Sequence, residues 1–120
     1  FTRINDELAC HKTRYVYAGI FNTKRAFTFD GVMKYDNESG VTSEYLYGPN
    51  RHGGEAVFAP KAGGASEDDG YLVCFVHDEA ENQSECKIID ARDITTGPIA
   101  TIVMPFRVPY GFHAGWVGAQ

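Results

Sequence analysis

Short runs of β-forming residues recur about every 8 to 12 residues along the chain, and this spacing is the strongest constraint on its fold. Turn-forming residues separate the runs, and helical periodicity is nearly absent. The runs are residues 14–20, 26–35, 42–47, 56–59, 71–76, 87–90 and 100–104. The turn formers are Asp30-Gly31, residues 36–40, Gly48-Pro49-Asn50, Gly63-Gly64, Asp69-Gly70 and Thr96-Gly97-Pro98. The pattern predicts an all-β architecture, which could be a sandwich, a barrel or a propeller.

The polarity of individual runs adds a weaker constraint on that architecture. Residues 71–76 and 99–104 are apolar almost throughout, as expected for strands that are covered on both faces. Residues 32–35 and 43–47 mix polar and apolar positions, which is typical of edge or half-exposed strands. This gradient fits the blade of a propeller, and a sandwich would produce it too. Residues 79–84 are polar and predict a solvated hairpin tip.

The composition of the chain excludes several classes of function. A hydrophobic content of 43% can supply the core of one domain, while a net charge of -5 without any Lys/Arg run argues against nucleic-acid binding. No apolar stretch approaches the roughly 20 residues that a transmembrane helix needs. Cys10, Cys74 and Cys86 are widely spaced and odd in number, which fits neither a disulfide framework nor a CxxC motif. They are predicted to be structural, in a reducing compartment.

Motifs of the common enzyme classes are missing from the sequence. There is no P-loop, GxGxxG, GxSxG or CxxC motif, so nucleotide-binding, hydrolase and zinc-ribbon functions have no support. The acidic stretch Glu67-Asp-Asp-Gly70 lacks the alternating ligand positions of a calcium loop. It predicts an acidic turn that precedes a strand.

The most informative pattern lies in residues 105–116. Pro105 and Pro109 each remove a backbone donor, so this segment cannot be an ordinary central strand. The segment must therefore follow an irregular path. It carries His113 near its end, which makes this histidine the first candidate for a functional side chain.

The neighbours of His113 define a restricted setting for its ring. Gly111 and Gly115 lie on either side, where glycine permits close backbone approach or unusual dihedral angles, and Phe112 and Trp116 add aromatic rings. Neutral imidazole is a good ligand for Fe, Zn, Cu and Ni. Two interpretations remain open: His113 binds a metal, or it is a core histidine that is hydrogen-bonded through both ring nitrogens.

The other histidines give weaker signals. His52 and Glu55 lie in a Gly-rich turn, where they could form a pair of metal ligands. We expect instead that His52 is a loop residue and that the Glu55 carboxylate caps amides of the turn. His11 and His77 lie beside charged residues. We expect both side chains to be solvated and to have no role.

Six stretches of the chain together resemble the end of the carotenoid cleavage oxygenases, and they occur in the order of that family. The stretches are Phe1-Thr-Arg-Ile-Asn5, Arg14-Tyr-Val-Tyr17, Gly54-Glu-Ala-Val-Phe58, Glu67-Asp-Asp-Gly-Tyr71, Ile89-Asp-Ala91 and Val108-Pro-Tyr-Gly-Phe-His113. The resemblance spans almost the whole chain, and the last stretch is the most specific. It implies a seven-bladed β-propeller, of which residues 1–120 form a C-terminal segment with about two blades' worth of antiparallel strands. Phe1 is not an initiator residue, so we expect a fragment that is inactive alone.

The resemblance also implies a site. The family holds one Fe(II) on the propeller axis with four histidines, and His113 matches the last of them. We expect the other three ligands, and the glutamate that orients the His113 ring, to lie upstream of Phe1. Glu55 matches a family position, and we expect its role to be structural.

The resemblance further implies that the intact protein uses dioxygen to cleave a conjugated C=C bond of an apolar polyene or stilbene. The substrate would be a carotenoid, an apocarotenoid or a stilbene, and the products would be carbonyl compounds. A cytoplasmic or plastid location is expected, with membrane contact through parts outside this chain. Two alternatives are a retinyl-ester isomerohydrolase of the same family and a non-catalytic β-sandwich binding module.

Overall fold

The computed structural model describes residues 1–24 and 27–119, which form nine strands and two short 3-10 turns. The strands are β1 (Thr2–Arg3), β2 (Tyr15–Phe21), β3 (Phe29–Asp36), β4 (Thr42–Leu46), β5 (Arg51–Gly53), β6 (Val57–Pro60), β7 (Gly70–Asp78), β8 (Gln83–Asp90) and β9 (Pro98–Val103). The 3-10 turns are Asp6–Leu8 and Ile94–Thr96. Within these described ranges, no helix has the length and apolar character needed to cross a membrane.

All strand pairs are antiparallel, and they divide into two groups. β1, β2, β3 and β4 pair in chain order and form the first group. In the second group, β5 and β6 pair with successive parts of one side of β7, and β8 and β9 follow on the other side. The groups are joined by the pairing of Phe29 in β3 with Gly53 in β5.

Side chains from both groups form one hydrophobic core. Tyr17 of β2 stacks on Phe58 of β6 with ring centroids 5.6 Å apart, and Leu72 and Ile89 are fully buried beside them. The Tyr17 hydroxyl donates a hydrogen bond to the carbonyl oxygen of Ala91 at 3.2 Å. Leu72, Cys74 and Val76 of β7 therefore face this core, which confirms the predicted burial of one face of that run, while Phe75 on the other face is 41% exposed in this segment and coverage of that face stays a prediction.

The acidic turn before β7 is confirmed, and it has a structural role that the sequence did not show. Both carboxylate oxygens of Glu67 accept hydrogen bonds from the amide of Arg14, and one also accepts from the amide of Tyr15, at 2.8 to 3.0 Å. Asp68 accepts a 2.7 Å hydrogen bond from the Lys34 ammonium group. The turn therefore links the second group of strands to β2 and β3.

Seven of the strands correspond to the predicted runs, and the polar tip at residues 79–82 closes the hairpin of β7 and β8 as expected. Ala26, at the start of one predicted run, lies outside the described residues. β1 and β5 were not predicted, because they have two and three residues and show no alternation.

The expectations about strand exposure have different outcomes. β3 was expected to be an edge or half-exposed strand, and it is not an edge strand, because it pairs on both sides. One of its faces is buried and includes Lys34, which contacts Asp68, while Tyr35 on the other face is 38% exposed, so the strand is half-exposed. β9 was expected to be covered on both faces by neighbouring parts of a propeller, and this stays a prediction, because β9 pairs only with β8 among the described strands of this segment. Ile99 and Ile102 are therefore 59% and 52% exposed.

Candidate metal centre

Residues 104–119 leave β9 without forming a further strand or helix, as the two prolines predicted. This segment, which we call the C-terminal strap, returns to the hairpin of β7 and β8. The amide of Met104 donates to the carbonyl oxygen of Ser84, and the amide of Val108 donates to Ser84 Oγ, both at 2.9 Å. The strap is thus held by individual hydrogen bonds and not by a continuous strand ladder.

His77 is buried beside this anchor, so the expectation that it is solvated was wrong. Its side chain is 2% exposed, its Nδ1 lies 3.0 Å from Ser84 Oγ, and its Nε2 lies 3.0 Å from a guanidinium nitrogen of Arg107. Because arginine can only donate, Nε2 must accept a hydrogen bond from Arg107. The hydrogen-bond network therefore assigns the ring proton to Nδ1, which donates to Ser84 Oγ.

The strap next passes over Gly54 at very short range. A Cβ atom at position 54 would lie 3.0 Å from the carbonyl oxygen of Gly111 and 3.2 Å from its nitrogen. Gly111 and Gly115 have no positive φ, and a Cβ atom at either position would meet nothing within 4 Å. The close approach that was expected at the glycines around His113 is therefore made possible by Gly54.

Glu55 fixes the strap at the position of the candidate ligand. Its Oε2 accepts a 2.9 Å hydrogen bond from the amide of Ala114 and lies 3.8 Å from the Arg3 guanidinium group. The same oxygen lies 3.7 Å from Nδ1 of His113, which is too long for a hydrogen bond. Glu55 is thus a buried carboxylate that faces the His113 ring, and not a cap of its own turn as the sequence indicated.

The His113 ring is open on its other side. The His113 side chain is 76% exposed, and no described residue hydrogen-bonds to its Nε2. Nε2 is therefore available to bind a metal ion, while the N–H at Nδ1 can point towards the Glu55 carboxylate. This arrangement fits a metal-binding imidazole, because such rings generally direct the second N–H to a carboxylate, a carbonyl or water.

Aromatic side chains lie beside the site. Phe1 packs against the His113 ring with centroids 5.2 Å apart, and it also contacts Phe21 and Phe29 at 5.9 and 5.7 Å. Phe112 packs edge-on against Phe27 at 5.1 Å. Apart from Phe29, these rings are 41% to 59% exposed, so they form an apolar surface beside the candidate ligand.

The remaining candidates do not join His113. His52 lies in β5, where its Nδ1 contacts Asp30 Oδ1 at 2.7 Å, and His11 is exposed as expected. Trp116 is 48% exposed on the strap. In residues 1–24 and 27–119, no group of three or more His, Cys, Asp or Glu side chains is arranged to hold a metal ion. A metal bound by His113 would therefore need further protein ligands from elsewhere.

The cysteines are not placed for metal binding. Cys74 and Cys86 are buried, and burial raises the pKa of Cys74 to about 11, so its thiol stays protonated at neutral pH. Burial also raises the pKa of Cys86. Only the thiolate is a good ligand, so both residues act as core side chains. Cys10, in contrast, is exposed.

Comparison with solved structures defines the class of protein. The chain matches the cobalt-substituted apocarotenoid oxygenase of Synechocystis with a TM-score of 0.88 and 33% sequence identity, covering 98% of this chain and 25% of that chain. That enzyme has a propeller fold, so the two groups of strands are part of a β-propeller. The all-β propeller prediction is confirmed, and the alternative of an independent β-sandwich is disfavoured.

Comparison of sequences gives the family. Residues 1–118 match the model described as retinal pigment epithelial membrane protein. A carotenoid 9,10(9',10')-cleavage dioxygenase of Crocus sativus is 41% identical and is matched over 100% of this chain and 24% of its own length. A 9-cis-epoxycarotenoid dioxygenase of Arabidopsis thaliana, named as chloroplastic, is 40% identical over 95% of this chain and 19% of its own length. The chain belongs to the retinal pigment epithelial membrane protein and carotenoid cleavage dioxygenase family, and it spans less than a quarter of these two relatives.

Proposed function

We propose that the intact protein is a non-haem Fe(II)-dependent dioxygenase that cleaves a conjugated C=C bond of a carotenoid, an apocarotenoid or a stilbene. The observation that carries the proposal is the setting of His113. Its Nε2 is open, its Nδ1 faces the buried Glu55, and the backbone beside it is held by the Ala114 hydrogen bond. The remaining iron ligands would come from parts of the protein outside these 120 residues.

The donor set present in this chain fits such a metal. Imidazole is a common ligand of Fe(II), and the related Synechocystis enzyme has been solved in a cobalt-substituted form, which supports a transition-metal site in a structural relative. When bound, the iron would supply the redox chemistry between dioxygen and the double bond. His113 would contribute one neutral ligand, and Glu55 would hold the orientation of its ring.

The aromatic surface beside His113 supports an apolar substrate. Phe1, Phe21, Phe27 and Phe112 present exposed rings next to the candidate ligand, and these can pack against a polyene or stilbene while excluding water. The names of the relatives from Crocus sativus and Arabidopsis thaliana support a carotenoid-type substrate. The chloroplastic relative supports a plastid as one location, and the cytoplasm is the other that we propose.

The test uses the intact protein that contains this segment. We expect His113→Ala to lower both the iron content and the oxygen-dependent cleavage of a carotenoid, while the thermal transition stays close to that of the wild type, because the strap is held at this point by the backbone amide of Ala114 and not by the His113 side chain. His11→Ala is the control, and it should keep iron and activity because His11 is exposed and matches no ligand position of the family. A His113→Ala protein with full iron and wild-type turnover would remove the proposal.

A further inference from the structure

One buried histidine has no part in the proposed metal centre, yet it contacts the segment that carries the candidate ligand. We propose that His77 is a positioning residue for the site at His113. Its ring is hydrogen-bonded directly to Arg107 of the C-terminal strap. It is also hydrogen-bonded to Ser84, whose hydroxyl oxygen accepts from the amide of Val108. This inference rests on the proposed function, because the group that it positions is the proposed iron ligand.

The positions of these hydrogen bonds explain why the His77 ring can fix the direction of the strap. Arg107 and Val108 are adjacent, and they are held from opposite ends of the same imidazole. Ser84 Oγ accepts from both His77 Nδ1 and the Val108 amide, which uses the two lone pairs of the hydroxyl. Two successive residues of the strap, one bonded to the His77 ring and the other to the Ser84 hydroxyl that the ring contacts, define both a position and an orientation of the chain.

The strap residues that His77 holds lie just before His113 along the chain. His113 follows Val108 by only five positions, which is at most about 18 Å of extended backbone. Between them, the Tyr110 ring packs edge-on against His77 at 6.3 Å, and its hydroxyl donates to Glu79 at 3.2 Å. A rotation of the strap at Arg107 would therefore be transmitted to the imidazole at position 113.

The two hydrogen bonds of the His77 ring require a neutral imidazole. Nε2 must accept from the Arg107 guanidinium group while Nδ1 donates to Ser84, and these two roles are combined in a neutral ring with its proton on Nδ1. Asparagine can replace the donor at Nδ1, and glutamine can replace the acceptor at Nε2, but neither amide spans both partners. His77 is also 2% exposed, so water has little access to its ring nitrogens.

The experiment compares variants of the intact protein by hydrogen exchange of residues 105–113 and by iron affinity. Arg107→Met removes the donor at an exposed position, and His77→Phe removes both bonds while keeping a ring. We expect exchange in the strap to rise about tenfold and iron affinity to fall about tenfold, as for other residues that orient metal ligands. The thermal midpoint of Arg107→Met should stay near that of the wild type, so that a general loss of stability does not explain the result.

Two further variants provide the controls. Arg107→Lys keeps a donor that can reach His77 Nε2 and should restore most of the iron affinity. His52→Phe changes the histidine that pairs directly with His77 in the sheet but bonds to Asp30, and it should leave the exchange of the strap unchanged.

The outcomes separate this inference from the proposed function. If hydrogen exchange of the strap in both Arg107→Met and His77→Phe equalled that of the wild type, His77 would not hold the strap. Faster exchange with unchanged iron affinity would overturn the positioning role. If the wild-type protein bound no iron, the proposed function would fail, and the exchange measurement would still decide whether His77 holds the strap.

Discussion

The amide of Ala114 donates a 2.9 Å hydrogen bond to Oε2 of Glu55, a residue 59 positions earlier in the chain. The Glu55 side chain is 4% exposed, and the same oxygen lies 3.7 Å from Nδ1 of His113. One buried carboxylate therefore holds the backbone directly after the candidate ligand and also faces its ring. Glu55 thus fixes the backbone beside His113 directly, while its contact with the ring is longer than a hydrogen bond.

Substitutions of Glu55 should separate these two contributions. Glu55→Ala leaves the Ala114 amide without its acceptor, and we expect a loss of about 1 to 3 kcal/mol in the free energy of unfolding of the intact protein. Glu55→Gln keeps an oxygen for this amide but removes the negative charge, so stability should fall less. Iron titration should show a loss of about 10- to 100-fold in both variants. Wild-type iron affinity in both variants would show that the carboxylate does not act on His113.

Gly54 should be intolerant of a side chain because of the strap above it. In Gly54→Ala the new Cβ would lie 3.0 and 3.2 Å from backbone atoms of Gly111, so the strap must move by a few tenths of an ångström. We expect reduced iron content and turnover with a small change in the thermal midpoint. Gly111→Ala is the matched control, because its Cβ meets nothing within 4 Å in the described residues, and it should behave as the wild type. Equal effects of the two substitutions would contradict the close-approach argument.

Much of the fold could be predicted from the sequence, because it depends on local patterns. Strands of four or more residues, such as β7, carry a polarity pattern, and the turns between them contain glycine, proline or acidic residues. The errors concern burial. Lys34 is polar yet buried because Asp68 pairs with it from another part of the chain. Such facts depend on neighbours that are distant in sequence.

Prediction of the candidate site from the sequence shows the same limit. The two prolines and the glycines marked the strap as irregular, and they pointed to His113 as its functional side chain. Glu55 and His77 could not be assigned, because their partners on the strap lie 59 and 30 residues away. His77 stands beside Asp78, and this local polarity led to the wrong prediction of a solvated ring. A buried histidine can lie beside a charged residue when adjacent strand positions face opposite sides or when both find partners.

The buried hydroxyl of Tyr17 should contribute measurably to stability. The side chain is 1% exposed, burial raises the pKa of its hydroxyl, and this hydroxyl donates to the Ala91 carbonyl oxygen. Tyr17→Phe keeps the stacking on Phe58 but removes the hydrogen bond, so we expect a loss of about 1 kcal/mol in the free energy of unfolding. Tyr35→Phe, at a residue that is 38% exposed, should change stability much less. Equal values for the two variants would contradict the importance of the Tyr17 hydrogen bond.

Asp78 should make the stability of the protein depend on pH in the acid range. The amides of Glu81 and Ala80 donate to its carboxylate, and Arg51 forms an ion pair with it, so the pKa of Asp78 lies below its ordinary value of 3.8. A carboxylate with a lowered pKa in the folded state stabilises the protein fully above its unfolded pKa. This contribution is lost as the pH falls through the lower pKa of the folded state.

The measurement is the free energy of unfolding of the iron-free intact protein at several pH values, for the wild type and for Asp78→Asn. At pH 7 the variant should be less stable, because the amide cannot pair with the charge of Arg51. The difference should shrink below about pH 3.8, since the wild-type carboxyl group then takes up a proton and loses the same interactions. Glu44→Gln, at an exposed position, should show no such pH-dependent difference. A difference between wild type and Asp78→Asn that stays constant or grows towards low pH would show that the Asp78 charge is not what holds this turn.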